Sequence, residues 1–146
     1  MYHVVNGLLI SDGKVLLARR SKQRKNYPDC WSFPGGHMEG AETHAFALTR
    51  ELSEEIGVLP LKFQKVGEIE APAEGQLKRI FHLFAVTRWR GTPTIRDQEH
   101  VQLRWMEPDA AADLPDLALG EYVEVLRKLG DLQEQIGPAN QDHQQT

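Results

Sequence analysis

The sequence predicts an α/β fold in which helices pack on a central mixed sheet. Two observations carry that prediction. Short runs rich in β-branched and aliphatic residues recur along the chain, and two longer segments place apolar residues at helical spacing. The 146 residues also show no internal repeat and no second composition block, which fits one domain.

The elements follow in order. Residues 4–10 (VVNGLLI) read as a strand, Asp12-Gly13 as a hairpin turn, and residues 15–18 as the returning partner. Residues 19–30 are polar and carry Asn26 and Pro28, so a loop is expected there. A brief strand over 31–33 runs into Gly35-Gly36 and then a helix over 43–56, with Thr43 as its N-cap and Gly57 just past its end. Strands are expected over 61–69 and 80–89, the second carrying Ile80, Phe81, Leu83, Phe84 and Val86. Between them, residues 71–75 with Pro72 and Gly75 read as a loop, and residues 91–98 as a further connection. Residues 101–105 alternate apolar and polar side chains as a last strand. Tyr122, Val123, Leu126 and Leu129 then mark a helix over 119–129. From Asp131 the chain is polar and Gln-rich, so 1–130 is expected to be the domain and 131–146 a partly disordered tail.

Composition narrows the function classes. Apolar content of 40% and charged content of 26% are those of a soluble globular protein. A net charge of −4 argues against a dedicated nucleic-acid binder, which usually carries a basic excess. Cys30 is the only cysteine, so no intrachain disulfide forms, and a structural thiol in a reducing compartment is the simple reading. No run approaches the about 20 apolar residues of a membrane span, and the N-terminus lacks a secretory pattern. The expected location is the cytoplasm, and the expected state a monomer or homodimer.

The most informative stretch is 36–58, GHMEGAETHAFALTRELSEEIGV. At about 100° per residue, Leu52, Ala45 and Ile56 fall on one side of Leu48 as an apolar stripe, with Glu55, Glu51 and Glu54 on the adjacent arc. Glu51–Glu54 and Glu51–Glu55 have the spacings at which helical side chains meet, where like charges oppose each other by a few tenths of a kcal/mol. Arg50 relieves Glu54 from four residues away but cannot neutralise all three carboxylates. A hard divalent cation can, because Mg²⁺ and Mn²⁺ favour carboxylate oxygens together with substrate phosphates. Taken alone, the three glutamates would read as an ordinary solvated face. The capping residues and the two glycines before the helix, which let backbone approach a ligand closely, weigh against that.

As a pattern, the stretch is Gly36, five residues, Glu42, seven residues, then Arg50-Glu51-Leu52-Ser53-Glu54-Glu55-Ile56-Gly57-Val58. It resembles the Nudix box, with every defined position filled, including the aliphatic Leu52 and Val58. That family consists of hydrolases that cleave a nucleoside diphosphate linked to another group. The resemblance implies an α/β/α sandwich with a central mixed sheet, Mg²⁺ (or Mn²⁺) as cofactor, and a small-molecule nucleotide as substrate. It further implies metal ligation by Glu51, Glu54 and Glu55 with a backbone carbonyl of Gly35, and a structural pair between Arg50 and Glu42.

Cleaving a phosphoanhydride demands charge neutralisation on the phosphates and an activated water. Glu51 and Glu55 are the expected direct metal ligands. The general base is expected to be a box glutamate, Glu51 or Glu54, or a later one. Glu99, just before the 101–105 strand, is the leading later candidate and reads equally as a solvated loop residue. Gly35 and Gly36 should approach substrate.

The run Arg19-Arg20-Ser21-Lys22-Gln23-Arg24-Lys25 concentrates five positive charges in seven residues. It reads either as a phosphate-orienting loop or as a solvated basic loop. Arg19, closest to the strand end, is the expected contributor. His37, at a variable box position, reads either as lining the pocket or, more commonly for a lone His, as a local hydrogen-bonding residue, and His82 alternates within a strand. His100 stands just before another strand, and no His/Cys spacing indicates zinc. Tyr27 and Trp31 suit either base stacking or core, while Phe33 and Trp105 read as core.

Signals outside the box bear on the substrate. Residues 74–76, Glu-Gly-Gln, lack the Tyr typical of diadenosine polyphosphate hydrolases. Pro72 lies fourteen residues past the box, near the position where ADP-ribose hydrolases carry one. Leu16-Leu17-Ala18-Arg19-Arg20-Ser21 partly fits the coenzyme A pattern, but Asp29 stands where that pattern has Gly. The layout most resembles MutT-like nucleoside triphosphate or modified-nucleotide pyrophosphatases. ADP-ribose, nucleotide-sugar or coenzyme A cleavage, and a non-catalytic nucleotide sensor, are the alternatives.

Overall fold

A computed structural model describes residues 2–72 and 78–136. The elements run β1 (Tyr2–Ser11), β2 (Lys14–Arg20), β3 (Trp31–Ser32), β4 (Gly35–His37), α1 (His44–Ile56), β5 (Leu59–Pro72), β6 (Lys78–Arg90), β7 (His100–Met106), α2 (Pro108–Ala112) and α3 (Tyr122–Ile136).

The arrangement centres on β1, whose residues 4–10 are all buried, as a strand covered on both faces requires. It turns into β2 through Asp12 and Gly13, both with positive φ, the geometry of a two-residue hairpin that follows the sheet twist. The strand order is β3-β2-β1-β6-β5, with β4 also paired to β1 and β7 to β2. The β1–β6 pair is parallel and the others antiparallel, so the sheet is mixed.

Alternation along β1 divides the interior. Val4, Leu8 and Ile10 join a core completed by Tyr122, Val125 and Leu126 of α3. Val5 and Leu9 join a second core with Leu48, Leu52 and Ile56 of α1. Helices therefore cover both faces, giving the α/β/α sandwich. Gly7 lets α1 sit close, since a Cβ there would lie 3.0 Å from both Leu52 methyls.

Several expectations are revised. β2 continues through Arg20, because Arg19 and Arg20 pair with Gln102 and His100 of β7 across a bulge, so the loop starts later than residue 19. Gly35 and Gly36 form β4 and pair with Asn6 and Val5 of β1. β5 reaches Pro72, so Ala71 and Pro72 are strand rather than loop, while Gly75 and residues 74–76 lie outside the described residues. The five-residue α2 was not foreseen, being too short for a periodic signal. Residues 131–136 continue α3 rather than opening a tail, and 137–146 lie outside the described residues.

On α1, Ala45 is exposed in the first turn, and the buried face runs through Ala47, Leu48, Glu51, Leu52, Glu55 and Ile56. The apolar stripe thus continues into the acidic arc. Trp105 keeps 36% of its surface exposed, because β7 pairs only with β2 among the described residues; its ring stacks on Trp89 at 6.1 Å. No helix among the described residues is long and apolar enough to cross a membrane.

Candidate active site

α1 presents its carboxylates from a well-terminated helix. Thr43 Oγ1 accepts the Phe46 amide at 3.1 Å, and Gly57 (φ 69°) closes the last turn with its amide donating to Ser53 O at 3.1 Å. Between these caps Glu51 and Glu55 are buried, at 8% and 5% exposure, and Glu54 stays exposed.

Arg50 organises the entrance. Its Nε donates to Glu42 Oε2 at 2.6 Å and its Nη2 to Glu42 Oε1 at 2.9 Å, a two-pronged pair. Nη1 donates to Glu51 Oε1 at 3.0 Å and to Glu54 Oε2 at 3.4 Å, and Nη2 also reaches the His37 carbonyl at 3.1 Å. The Arg50 hydrogen bonds, with the Glu39 amide on Glu42 Oε1, hold the Glu42 carboxyl down at about 2.

Glu51 and Glu55 are driven the other way. Burial raises both above the ordinary carboxylate range. Glu55 is pushed up to about 9 by burial, with the Gly35 amide opposing and Glu51, Asp97 and Glu99 adding to the rise. That amide donates to Glu55 Oε1 at 3.0 Å.

Two buried acidic side chains so placed call for positive charge beyond Arg50. The backbone opposite them is glycine for a steric reason. A Cβ on Gly36 would stand 2.5 Å from Glu51 Oε2, and one on Gly35 (φ 152°) would strike the Val5 carbonyl. Hard oxygen donors beside an open cavity fit a hard divalent cation. Among the described residues, Glu55, Asp97 and His100 also bring ligand atoms within 4.8 Å of one another. His100 Nδ1 in that group is already 2.9 Å from Asp97 Oδ2.

A cavity of about 280 Å³ opens in front of these carboxylates. Gly35, Gly36, His37, Glu51, Glu55 and Glu99 line one part of it, and Arg20, Arg24, Tyr27 and Arg79 another. Val4, Asn6, Phe33, Phe81 and Leu119 line its inner wall. Backbone bonds tie its rim together: the Ser21 amide donates to Glu99 O, Trp31 N–H to Asp116 O, and Ala118 N–H to Trp31 O, each at 2.8 Å.

The expected site residues fall into groups. Glu51, Glu55, Gly35, Gly36 and Glu99 meet at the cavity, with Arg50 and Glu42 paired beside it. Glu54 is joined to them through Arg50 and is not a lining residue. Arg19 is not brought to the cavity. Its Nε donates to Asp29 Oδ1 at 2.8 Å, and its guanidinium lies 5.6 Å over Trp31. The neighbouring Arg20 lines it instead. Arg20 Nε donates to Asn26 O at 3.0 Å, and Arg24 pairs with Glu99 at 3.1 Å.

Trp31 and Phe33 are core, whereas Tyr27 lines the cavity and stacks under Arg79 at 5.6 Å. His82 is buried away from the cavity lining, 2.9 Å from His3 Nδ1, with Lys65 Nζ 2.8 Å from its Nδ1 and the His44 ring 4.2 Å away. Burial, then Lys65, lowers its pKa to about 4. Asn6, Arg79 and Asp97 escaped the sequence reading, since each is a lone polar residue whose meaning depends on its neighbours across strands.

The comparisons agree with this geometry. The NUDIX domain family profile matches residues 1–129. Among curated proteins, the chain is 37% identical over 134 residues to the CTP pyrophosphohydrolase of Escherichia coli (strain K12), covering 87% of this chain and 94% of that protein. It is 31% identical over 105 residues to an 8-oxo-dGTP diphosphatase of Buchnera aphidicola subsp. Schizaphis graminum, covering 71% and 75%. Among solved structures, the E. coli ORF135 protein superposes with a TM-score of 0.75 at 30% identity, covering 96% of this chain and 95% of that one. The MutT protein from Methanosarcina mazei Go1 shares the fold at a TM-score of 0.77 and 20% identity, covering 91% and 95%. The chain belongs to the NUDIX family, as a hydrolase of phosphoanhydride bonds in nucleotides.

Proposed function

We propose that this chain is a Mg²⁺- or Mn²⁺-dependent, MutT-like pyrophosphatase of a nucleoside triphosphate or modified nucleotide, working in the cytoplasm as one domain. The observation that carries the reading is the meeting of buried Glu51 and Glu55 with Arg20 and Arg24 around one cavity. Carboxylates and guanidiniums facing one space suit a ligand that brings phosphates and a divalent cation together. The names of the two curated relatives, which act on CTP and 8-oxo-dGTP, support a triphosphate.

Glu51 and Glu55, with the Gly35 carbonyl and Glu54 at the rim, would hold the ion. When bound, it supplies a Lewis acid that neutralises phosphoryl oxygens and acidifies water. The chain's own residues do the rest. Arg20 and Arg24 orient the phosphate tail, and Gly35 and Gly36 bring backbone against it. Arg50 holds Glu51 in one orientation while its pair with Glu42 fixes its own. Glu54 or Glu99 takes the proton from the attacking water, both being more exposed than Glu51 and Glu55.

The test is hydrolysis of a nucleotide panel by purified protein with Mg²⁺, beside Glu54→Gln and Glu55→Gln. Turnover by wild type and its loss in the variants is the expected result. Unchanged activity in both variants refutes the site.

A further inference from the structure

The inner wall of the cavity holds a polar atom with no partner. Asn6 is 4% exposed and lines the cavity, and its Oδ1 makes no hydrogen bond. Its Nδ2 donates to Phe33 O at 3.0 Å. A backbone carbonyl only accepts, so this bond fixes which end of the amide is NH₂ and leaves Oδ1 as an acceptor. A buried acceptor left open costs free energy, and native proteins rarely leave one without a use.

The surroundings say what donor fits. Asn6 alternates on β1 with Val5 and Gly7, which face α1, so its side chain lies on the α3 side of the sheet, away from the helix that bears Glu51 and Glu55. Apolar and aromatic side chains line the cavity with it, alongside the polar Arg20, Ser32 and Arg79. Val4 is two residues back, Phe81 sits opposite Val4 in the parallel register, and Phe33 and Leu119 also line the wall. Nearer the opening, the Tyr27 ring lies under Arg79. A hydrated cation or phosphate gains nothing from such walls. A flat heteroaromatic ring buries its faces there and meets one acceptor at its edge.

Resting on the pyrophosphatase reading above, we propose that Asn6 determines base specificity: its Oδ1 accepts a hydrogen bond from an exocyclic amino group of the nucleobase. The site then favours amino-bearing bases over their oxo counterparts, cytosine over uracil, adenine over hypoxanthine and guanine over xanthine. An oxo group in the same place sets oxygen against oxygen and leaves Oδ1 unpaired. The anchoring bond to Phe33 prevents the amide from flipping to welcome it.

The experiment measures equilibrium binding of nucleoside monophosphates, so that base recognition is read without turnover. CMP is compared with UMP, AMP with IMP, and GMP with XMP, on wild type, Asn6→Leu and Asn6→Ala. The expected result is that wild type binds the amino member of at least one pair about tenfold or more tightly, with the ratio falling towards one in both variants. Equal affinities within every wild-type pair, tighter binding of the oxo members, no binding at all, or a ratio that survives either substitution in folded protein overturns the proposal. An absent or reversed wild-type preference overturns the proposal even if a variant fails to fold, and either folded variant suffices to test the assignment to Asn6. Triphosphate hydrolysis is measured on the same wild-type sample. The expected ratios without turnover would overturn the pyrophosphatase reading alone, and turnover without amino preference would overturn the Asn6 proposal alone.

Discussion

Replacing Glu55 by Gln should make the metal-free protein more stable while removing its response to Mg²⁺. Glu55 is 5% exposed and its carboxyl is pushed from 4.5 up to about 9 by burial, helped by Glu51, Asp97 and Glu99. In the unfolded chain the same group ionises near 4.5. Between those values the folded state holds a proton that the unfolded state has lost. Stability is therefore complete below the lower value and falls as pH rises towards the upper one. At pH 8 the ceiling on this loss is about 5 kcal/mol, at about 1.4 kcal/mol per unit, and sharing of the charge with Glu51 brings it to about 2–5 kcal/mol. Gln keeps the shape and the acceptor for the Gly35 amide, and it never ionises. At about 3 °C per kcal/mol for a chain of this size, the variant should melt about 6–15 °C above wild type in EDTA at pH 8, and near wild type at pH 4.5. Added Mg²⁺ should raise the wild-type Tm increasingly with pH and leave the variant unmoved. Scanning fluorimetry across pH, with EDTA or Mg²⁺, gives all four curves. A variant that melts at or below wild type at pH 8 without metal would refute the claim that burial of this carboxylate is held against folding.

Other perturbations follow from the same geometry. Arg20→Ala should lower kcat/KM about tenfold to a hundredfold in steady-state assays through loss of a charged phosphate contact, while Arg19→Ala, which breaks a half-exposed pair with Asp29, should change it less than about threefold. Gly36→Ala should drive Glu51 from its place, seen as weaker Mg²⁺ binding by calorimetry with the far-UV circular dichroism retained. Gly35→Ala meets the Val5 carbonyl at a positive φ and should cost about 2 kcal/mol or more in urea unfolding. His82, held near 4 against 6.5 when free, should contribute a loss of about 1–3 kcal/mol as pH falls from 6.5 to 4, opposite in sign to the Glu55 contribution, and His82→Asn should remove it, so that the variant gains stability relative to wild type over that range in urea titrations.

Much of the scaffold was legible because its residues signal locally. The buried run 4–10, the Asp12-Gly13 turn and the caps Thr43 and Gly57 each state their structure within a few positions. The acidic arc of α1 was legible for the same reason, since one helix sets its spacing. What depends on pairing was not. That Arg20 rather than Arg19 lines the cavity is not written in the basic run, and Ala45 is exposed while its neighbour His44 packs on His82. Asn6 looks like an interruption in an apolar strand until Phe33 and Phe81 are placed around it. Pro108–Ala112 is too short to announce a period.

β1 serves two masters through its pleat. Its odd positions 5 and 9 support the helix that carries the reactive carboxylates, and its even positions 4 and 6 line the cavity in front of them. The side chains at positions 4, 6 and 81 make no hydrogen bond to Glu51 or Glu55, although Asn6 pins Phe33 O two residues before the Gly35 amide that holds Glu55. Selection can thus retune which molecule is recognised while the cleavage apparatus stays as it is. A single inserted residue within the strand would exchange the two sets and destroy both. The same pleat leaves the protein open to substitution at those positions and closed to any change in length.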